Sequence, residues 1–236
     1  MADACTTAAT TSRLFAAMPA ADREAVLGAG GRRALRKGEA LIRQGEPAAA
    51  FFLVERGYLK LTQVTADGAE VIVRFVGPGD PVAGVAALGE APYPVTASAC
   101  DAVDVLAWSR QLLADLLARF PQLKTNILRE MTAHMDDALT RLRELATLDV
   151  RQRLAHTLLR LTHARPADSD GTGLTVPHTL TRQELAELTG TTLFTVSRIL
   201  TGWESAGFVH STRAHVAVLD ADRLRAAADG EPDDGG

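Results

Sequence analysis

The chain has little cysteine, few aromatic residues, no long apolar run and no basic excess, and each shortage excludes something. Two cysteines in 236 residues, Cys5 and Cys100, are too few for a disulfide framework, which staples a small core with several pairs. They are also too few for an iron–sulfur cluster held by four thiolates of one chain. Cys100 lies in the strand-like run TASACDAVDVLAW and is expected to be a buried, inert thiol. No stretch approaches the roughly 18 consecutive apolar residues of a membrane span. The opening MADACTTAATTSR has neither the basic start nor the apolar run of a signal peptide, so a cytoplasmic protein with no membrane partner is predicted. With 25 Lys and Arg against 29 Asp and Glu, net −4, contact with nucleic acid has to come from a local surface. Paired carboxylates, metal-ligand spacing and a nucleophile–base motif are also missing. Gly77-Pro78-Gly79 reads as a turn rather than a phosphate loop, so no catalytic residue and no enzyme are expected.

What is present divides by periodicity. Residues 14 to 28 predict a short helix ending at Gly28, Gly30 and Gly31. From Arg33 to Trp108, short alternating runs (ALIRQG, FFLVERG, YLKLTQV, EVIVRFV, VDVLAW) are separated by turn signals. Asp67-Gly68 is a hairpin signal among them. Regular strands with glycine-rich turns predict a small antiparallel roll. After Ser109, a helix cap, comes LLADLLARF, then a break at Pro121, then a helix of about 27 residues. On it Leu128, Met131, Met135, Ala138, Leu142 and Leu145 recur at alternating spacings of three and four, the a/d seam of a coiled coil. A narrow seam on one long helix predicts a homodimer, with the same helix of a second subunit as partner. The competing expectation is an amphipathic helix packed on its own domain. Ile127, His134 and Leu139 flank the seam and are free to pack on the roll.

The fold class expected is α+β in five segments. These are a disordered N-terminus (1–13), a β-roll sensor domain (14–121), a dimerisation helix (122–148), a winged helix-turn-helix (149–225) and an acidic disordered tail (226–236) carrying Glu231, Asp233 and Asp234.

The most specific motif starts at Thr181-Arg182-Gln183-Glu184, a capping box that opens a short helix. Leu185, Ala186 and Leu188 form its inner face, and Gly190 supplies a tight turn. Thr192 caps a second helix whose inward residues are Val196, Ile199, Leu200 and Trp203. Gly207 ends it, and FVHSTRAHVAVLD reads as a two-stranded wing. Two short helices joined by a glycine turn make a helix-turn-helix. Exposed side chains in the first two turns of its second helix meet base edges in the major groove. Here these are Leu193, Phe194, Ser197 and Arg198, with arginine suited to the O6 and N7 of guanine. Thr181, Arg182, Thr192, Thr195 and Arg213 are expected to address phosphates. The partner so predicted is double-stranded DNA with a two-fold-symmetric site.

The arrangement over residues 14 to 225 resembles the CRP/FNR family of bacterial regulators. The resemblance is carried by KGEALIRQGEPAAAFFLVERGYLKL, FVGPGDPVAG, LDVRQRLAHTLLRL and TRQELAELTGTTLFTVSRIL. It implies a sensor domain like the cyclic-nucleotide-binding barrel, a small effector that gates DNA binding, and RNA polymerase as a partner. Cyclic-nucleotide binders in the family carry a Gly-Glu and, about ten residues on, an Arg-Ser. Here Gly84 is followed by Val85 at the glutamate position, and Tyr93-Pro94 stands for Arg-Ser. A buried phosphate would lack a charge partner, so cyclic AMP is not the expected effector. The cysteine shortage likewise speaks against the FNR-type cluster. The spacing to LDV and the stretch APYPVTASA are similar to DNR-like nitric-oxide regulators, which implies haem. His134 is then the candidate axial ligand, with Gly84, Val85, Tyr93, Met131 and Met135 as the rest of the effector pocket. A bland surface or interface histidine is the competing reading. Relatives often carry glutamate where Phe194 stands; phenylalanine accepts no hydrogen bond but fits a thymine methyl. An effector-independent regulator, or an interaction module that no longer reads DNA, is the alternative from a different class.

Overall fold

The computed structural model describes residues 9–84, 89, 91–163, 174–175, 180–212 and 216–231. Their contacts divide the chain into two compact units, Met1–Asp137 and Ala138–Gly236.

The first unit is a β-roll of two four-stranded antiparallel sheets. One has the order β1 (Gly31–Leu35), β8 (Val103–Ser109), β3 (Ala50–Arg56), β6 (Pro81–Val82). The other runs β2 (Ala40–Ile42), β7 (Thr96–Ala99), β4 (Leu59–Val64), β5 (Glu70–Val76). Strand β3 is apolar on both faces because both are covered. Phe52 and Val54 join Val105, Leu59, Ala97 and Tyr93 inside the roll. Phe51 and Leu53 join Leu106 and Trp108 outside it, against helices. Phe51 and Trp108 pack with ring centroids 5.7 Å apart, and the indole donates to the Val26 carbonyl at 2.9 Å. The loops between strands are held by polar side chains: the Tyr58 amide donates to Asp101, and Gly57 sits in the left-handed region at φ 77°. A Cβ at Gly57 would lie 2.3 Å from the Ala102 carbonyl oxygen, so only glycine fits.

At the N-terminal side the expected single helix over 14–28 is two pieces. A 3-10 turn spans Arg13–Phe15, and α1 covers Ala20–Ala29. Pro19 separates them, since the residue before proline disfavours helical backbone. The N-terminal stretch is also more ordered than expected. Ala9 and Ser12 are buried, and Ser12 Oγ donates to the Gly79 carbonyl at 2.6 Å. Residues 1–8, including Cys5, lie outside those described. Cys100 is half-buried just after β7 rather than enclosed in a strand.

Ser109 caps α2 (Arg110–Arg119), accepting from the Leu112 amide as its sequence position implies. Pro121 opens the next helix, α3 (Pro121–Thr147), in the first turn, where its missing N–H costs no helix bond. Asn126 on α3 donates to the carbonyls of Leu14 and Ala16 at 2.9 and 2.8 Å, fastening the 3-10 turn.

The second unit begins within α3. It contains α4 (Val150–His163), α5 (Arg182–Thr189), α6 (Leu193–Ser205), α7 (Ala221–Asp229) and a sheet of order β10 (Val209–Ser211), β11 (Val216–Val218), β9 (Leu174–Thr175). Its core holds Leu154, Leu158, Leu185, Val196, Leu200, Trp203, Phe208 and Leu224. The tail expected to be disordered from 226 is helical to Asp229. Asp220 caps it by accepting from the Asp222 and Arg223 amides, and Leu224, Ala227 and Ala228 are buried. Residues 232–236 lie outside those described. Among the described residues no helix is long and apolar enough to cross a membrane.

Candidate nucleic-acid interface

The start of α5 is a capping box. The Thr181 hydroxyl accepts from the Glu184 amide at 3.2 Å, and the Glu184 carboxylate accepts from the Thr181 amide at 3.0 Å. The helix ends at Gly190 in the left-handed region (φ 62°, ψ 46°), and its amide returns to the Ala186 and Glu187 carbonyls. This turn places Thr192 as the cap of α6, accepting from the Thr195 amide at 3.2 Å. Val196, Leu200 and Trp203 are buried beneath α6, with Ile199 half-buried at the edge. The opposite face carries Leu193, Phe194 and Arg198 exposed, with Ser197 half-exposed. Arg198 makes no hydrogen bond or ion pair with any described residue. Its guanidinium, on the second turn of a helix with a firmly capped start, is therefore available to an outside acceptor.

The residues expected on phosphates divide. Thr181 is exposed at the mouth of a cleft of about 420 Å³ formed with Arg182, Gln183, Leu193, Ser211 and Thr212. Thr192 and Thr195 hold each other, hydroxyl to hydroxyl, at 3.0 Å. Arg182 is occupied within the chain. It donates to the Ser211 hydroxyl at 3.1 and 3.3 Å and lies 3.8 Å from the Glu204 carboxylate, which itself accepts from the Ser211 amide at 2.6 Å. This network ties the start of α5 to the far part of α6 and to wing strand β10. Glu204 and Ser211 stand 22 and 29 residues beyond Arg182, and no local periodicity signals such a contact. Arg213 lies outside the described residues.

The same unit anchors the end of α3. The buried Glu144 carboxylate receives two bonds from Arg160 at 2.6 and 2.8 Å. Arg153 bridges the carbonyls of Leu148 and Thr189 at 2.8 and 3.0 Å, and a Cβ at Gly190 would meet Leu145 at 3.2 Å. The last turn of α3 and the turn of the helix-turn-helix thus share contacts. The expected seam is largely uncovered: Leu128, Met135, Leu142 and Leu145 are exposed, as is Ala138, while Met131 packs partly on the roll-side core.

The described members of the expected effector pocket fall in different surroundings. Tyr93 is buried inside the roll. Its hydroxyl accepts from the Ala49 and Ala50 amides and donates to the Ala50 carbonyl, so it is a structural tie. Gly84 faces Ile127 and Phe51, in the other apolar cluster, where Met131 also packs. Val85 lies outside the described residues. The left-handed residue of that turn is Ala83 (φ 66°), one position before Gly84. Neither Ala83, Gly84 nor Val85 carries a carboxylate, so the missing glutamate stays missing in either register. His134 is half-exposed and already interacts within the chain, and Met135 beside it is exposed. No cluster of three potential metal ligands occurs among the described residues.

Comparison with known proteins matches these two units to two domain families. A cyclic nucleotide-binding domain profile covers residues 32–120, and a Crp-like helix-turn-helix profile covers residues 152–227. The chain is 30% identical to the transcriptional activator protein anr of Pseudomonas aeruginosa over 84% of this chain and 81% of that one. In fold it is similar to the structure of FixK2 from Bradyrhizobium japonicum, with TM-score 0.72, 22% identity, and 83% and 96% of the two chains covered. It is likewise similar to the c-di-GMP-responsive regulator CLP of Xanthomonas campestris, with TM-score 0.71, 23% identity, and 86% and 100% covered.

Proposed function

The chain belongs to the CRP/FNR family of bacterial transcription regulators, with a helix-turn-helix that binds DNA. From this premise we propose a homodimer that reads a two-fold-symmetric site and is gated by a small effector other than cyclic AMP. The observation that carries the reading is Arg198, exposed and unengaged among the described residues beside Ser197 on the second turn of α6.

Each subunit carries few cations near the reading helix: residues 181 to 220 hold three arginines against three glutamates and one aspartate. One copy therefore binds weakly, and two copies on half-sites about 34 Å apart supply the affinity. The exposed stripe from Leu128 to Leu145 is the surface that pairs them. Effector discrimination follows from the roll. Tyr93 stands where cyclic-nucleotide binders have an arginine, and its hydroxyl is already saturated by residues 49 and 50. A cyclic nucleotide's phosphate would thus find no cation at this position.

Footprinting on a palindromic site selected from random duplexes tests the reading. Arg198→Ala is expected to lose its preference at one base pair per half-site, at about 1–3 kcal/mol each. Equal weakening on every sequence would contradict the role assigned to Arg198. A module that no longer reads DNA would show no steep salt dependence of binding. Protein produced with ample haem is expected to show no Soret band; a band lost in His134→Ala would overturn that part.

A further inference from the structure

The first turn of the reading helix is apolar. Phe194 is 78% and Leu193 47% exposed. A single exposed apolar side chain is ordinary. Here two adjacent ones stand beside polar side chains that are engaged within the chain. The Thr192 hydroxyl caps the helix and holds the Thr195 hydroxyl, and Arg182 is turned to Ser211 and Glu204. On α6 itself, base edges meeting this turn find side chains that are apolar or already hydrogen-bonded until Ser197 and Arg198. A polar edge pressed against such a surface loses its hydrogen bonds to water without replacement, which is unfavourable. The apolar feature that the major groove does offer is the 5-methyl group of thymine. 5-Methylcytosine carries the same methyl on the same ring carbon.

We propose that Leu193 and Phe194 form a reader of pyrimidine 5-methyl groups, so that binding responds to thymine against uracil and to 5-methylcytosine against cytosine. The inference deepens the DNA-reading function given above and rests on it. Phe194 and Arg198 are four residues apart on one row of α6, about 6 Å along the axis at 1.5 Å per residue. With base pairs about 3.4 Å apart, the methylated pyrimidine lies within about two base pairs of the guanine met by Arg198.

The test uses the full chain and a duplex selected from a random pool, read by fluorescence anisotropy. Each thymine is replaced in turn by deoxyuridine, which lacks only the methyl. One position per half-site is expected to weaken binding about fourfold, and about 15-fold when both half-sites are changed, the size of one and two buried methyl groups. With a C·G pair placed there, 5-methylcytosine is expected to bind about fourfold tighter than cytosine. In Phe194→Ala the thymine and uracil duplexes are expected to bind alike. The inference is overturned if every deoxyuridine duplex matches the thymine duplex, or if discrimination survives in both Phe194→Ala and Leu193→Ala. Absence of salt-dependent binding to any selected duplex is a different result: it removes the DNA-reading function itself, and this inference with it.

Discussion

Gly57 shows how much one residue decides in the roll. Its left-handed backbone and the Ala102 carbonyl 2.3 Å from any added Cβ leave no relaxed place for a side chain. Gly57→Ala is expected to cost about 2 kcal/mol or more, from the left-handed penalty plus displacement of the β7–β8 turn, read as a lowered denaturation midpoint. Glu130 acts through charge. Burial is the main cause that holds its carboxyl above the usual 4.5, with Asp80 adding to the rise and Arg13 and Arg74 opposing it. A carboxyl raised in the folded state binds its proton more tightly there than in the unfolded chain. Its contribution is thus full below pH 4.5 and is lost as pH rises through the raised folded value. Glu130→Gln should flatten the fall in melting temperature from pH 4.5 upward and raise stability at pH 7. An unchanged slope would show that other groups set it.

At the scale of elements, the helices of the second unit are held together by pairs more than a helical turn apart in sequence. Glu144 at the end of α3 is buried, and Arg160 on α4 is its close partner. Removing the arginine alone strands a buried charge. Arg160→Met is therefore expected to destabilise the second unit by about 3 kcal/mol, and the double change with Glu144→Met to recover most of that. Chemical denaturation of the three variants as a double-mutant cycle reads this directly. Recovery would be absent if the pair were incidental. Arg182 follows the same logic with a different readout. As a tie between α5 and the wing, it should tolerate poorly any change that breaks its bond to Ser211, on all DNA sequences alike.

For the whole molecule, the question is what covers α3. Met135 and Leu142 are 62% and 64% exposed in the single chain, on a helix whose other faces meet the roll or carry charge. Leu142→Lys on each copy is expected to shift the protein from dimer to monomer in sedimentation, with helical content kept. Affinity for a two-half-site duplex should fall at least a hundredfold while binding to one half-site changes little. A variant that stays dimeric would assign the stripe to another partner.

Legibility followed range. The roll strands, the Ser109 cap, the Thr181 capping box, the Gly190 turn and the exposed row from Leu193 to Arg198 were readable because each depends on residues within a few positions. Period-two and period-3.6 patterns, cap chemistry and left-handed glycines are local physics. The split at Pro19 was readable in principle, as a proline inside an apolar pattern, but periodicity carried the helix through it. Order at Ala9 and Ser12 and in the helix to Asp229 was hidden, since polar composition suggests disorder until a partner surface buries the few apolar residues. The fate of Arg182 and Tyr93 was decided by tertiary structure alone. Both carry side chains suited to a ligand, and both are turned to groups at least 22 residues away. Sequence by itself thus determined the two kinds of domain and the reading helix, through contacts closed within a helical turn or a hairpin. Which polar groups remain free to meet DNA or an effector was settled only when distant strands and helices came together, because long-range hydrogen bonds depend on the folded register and leave no period in the chain.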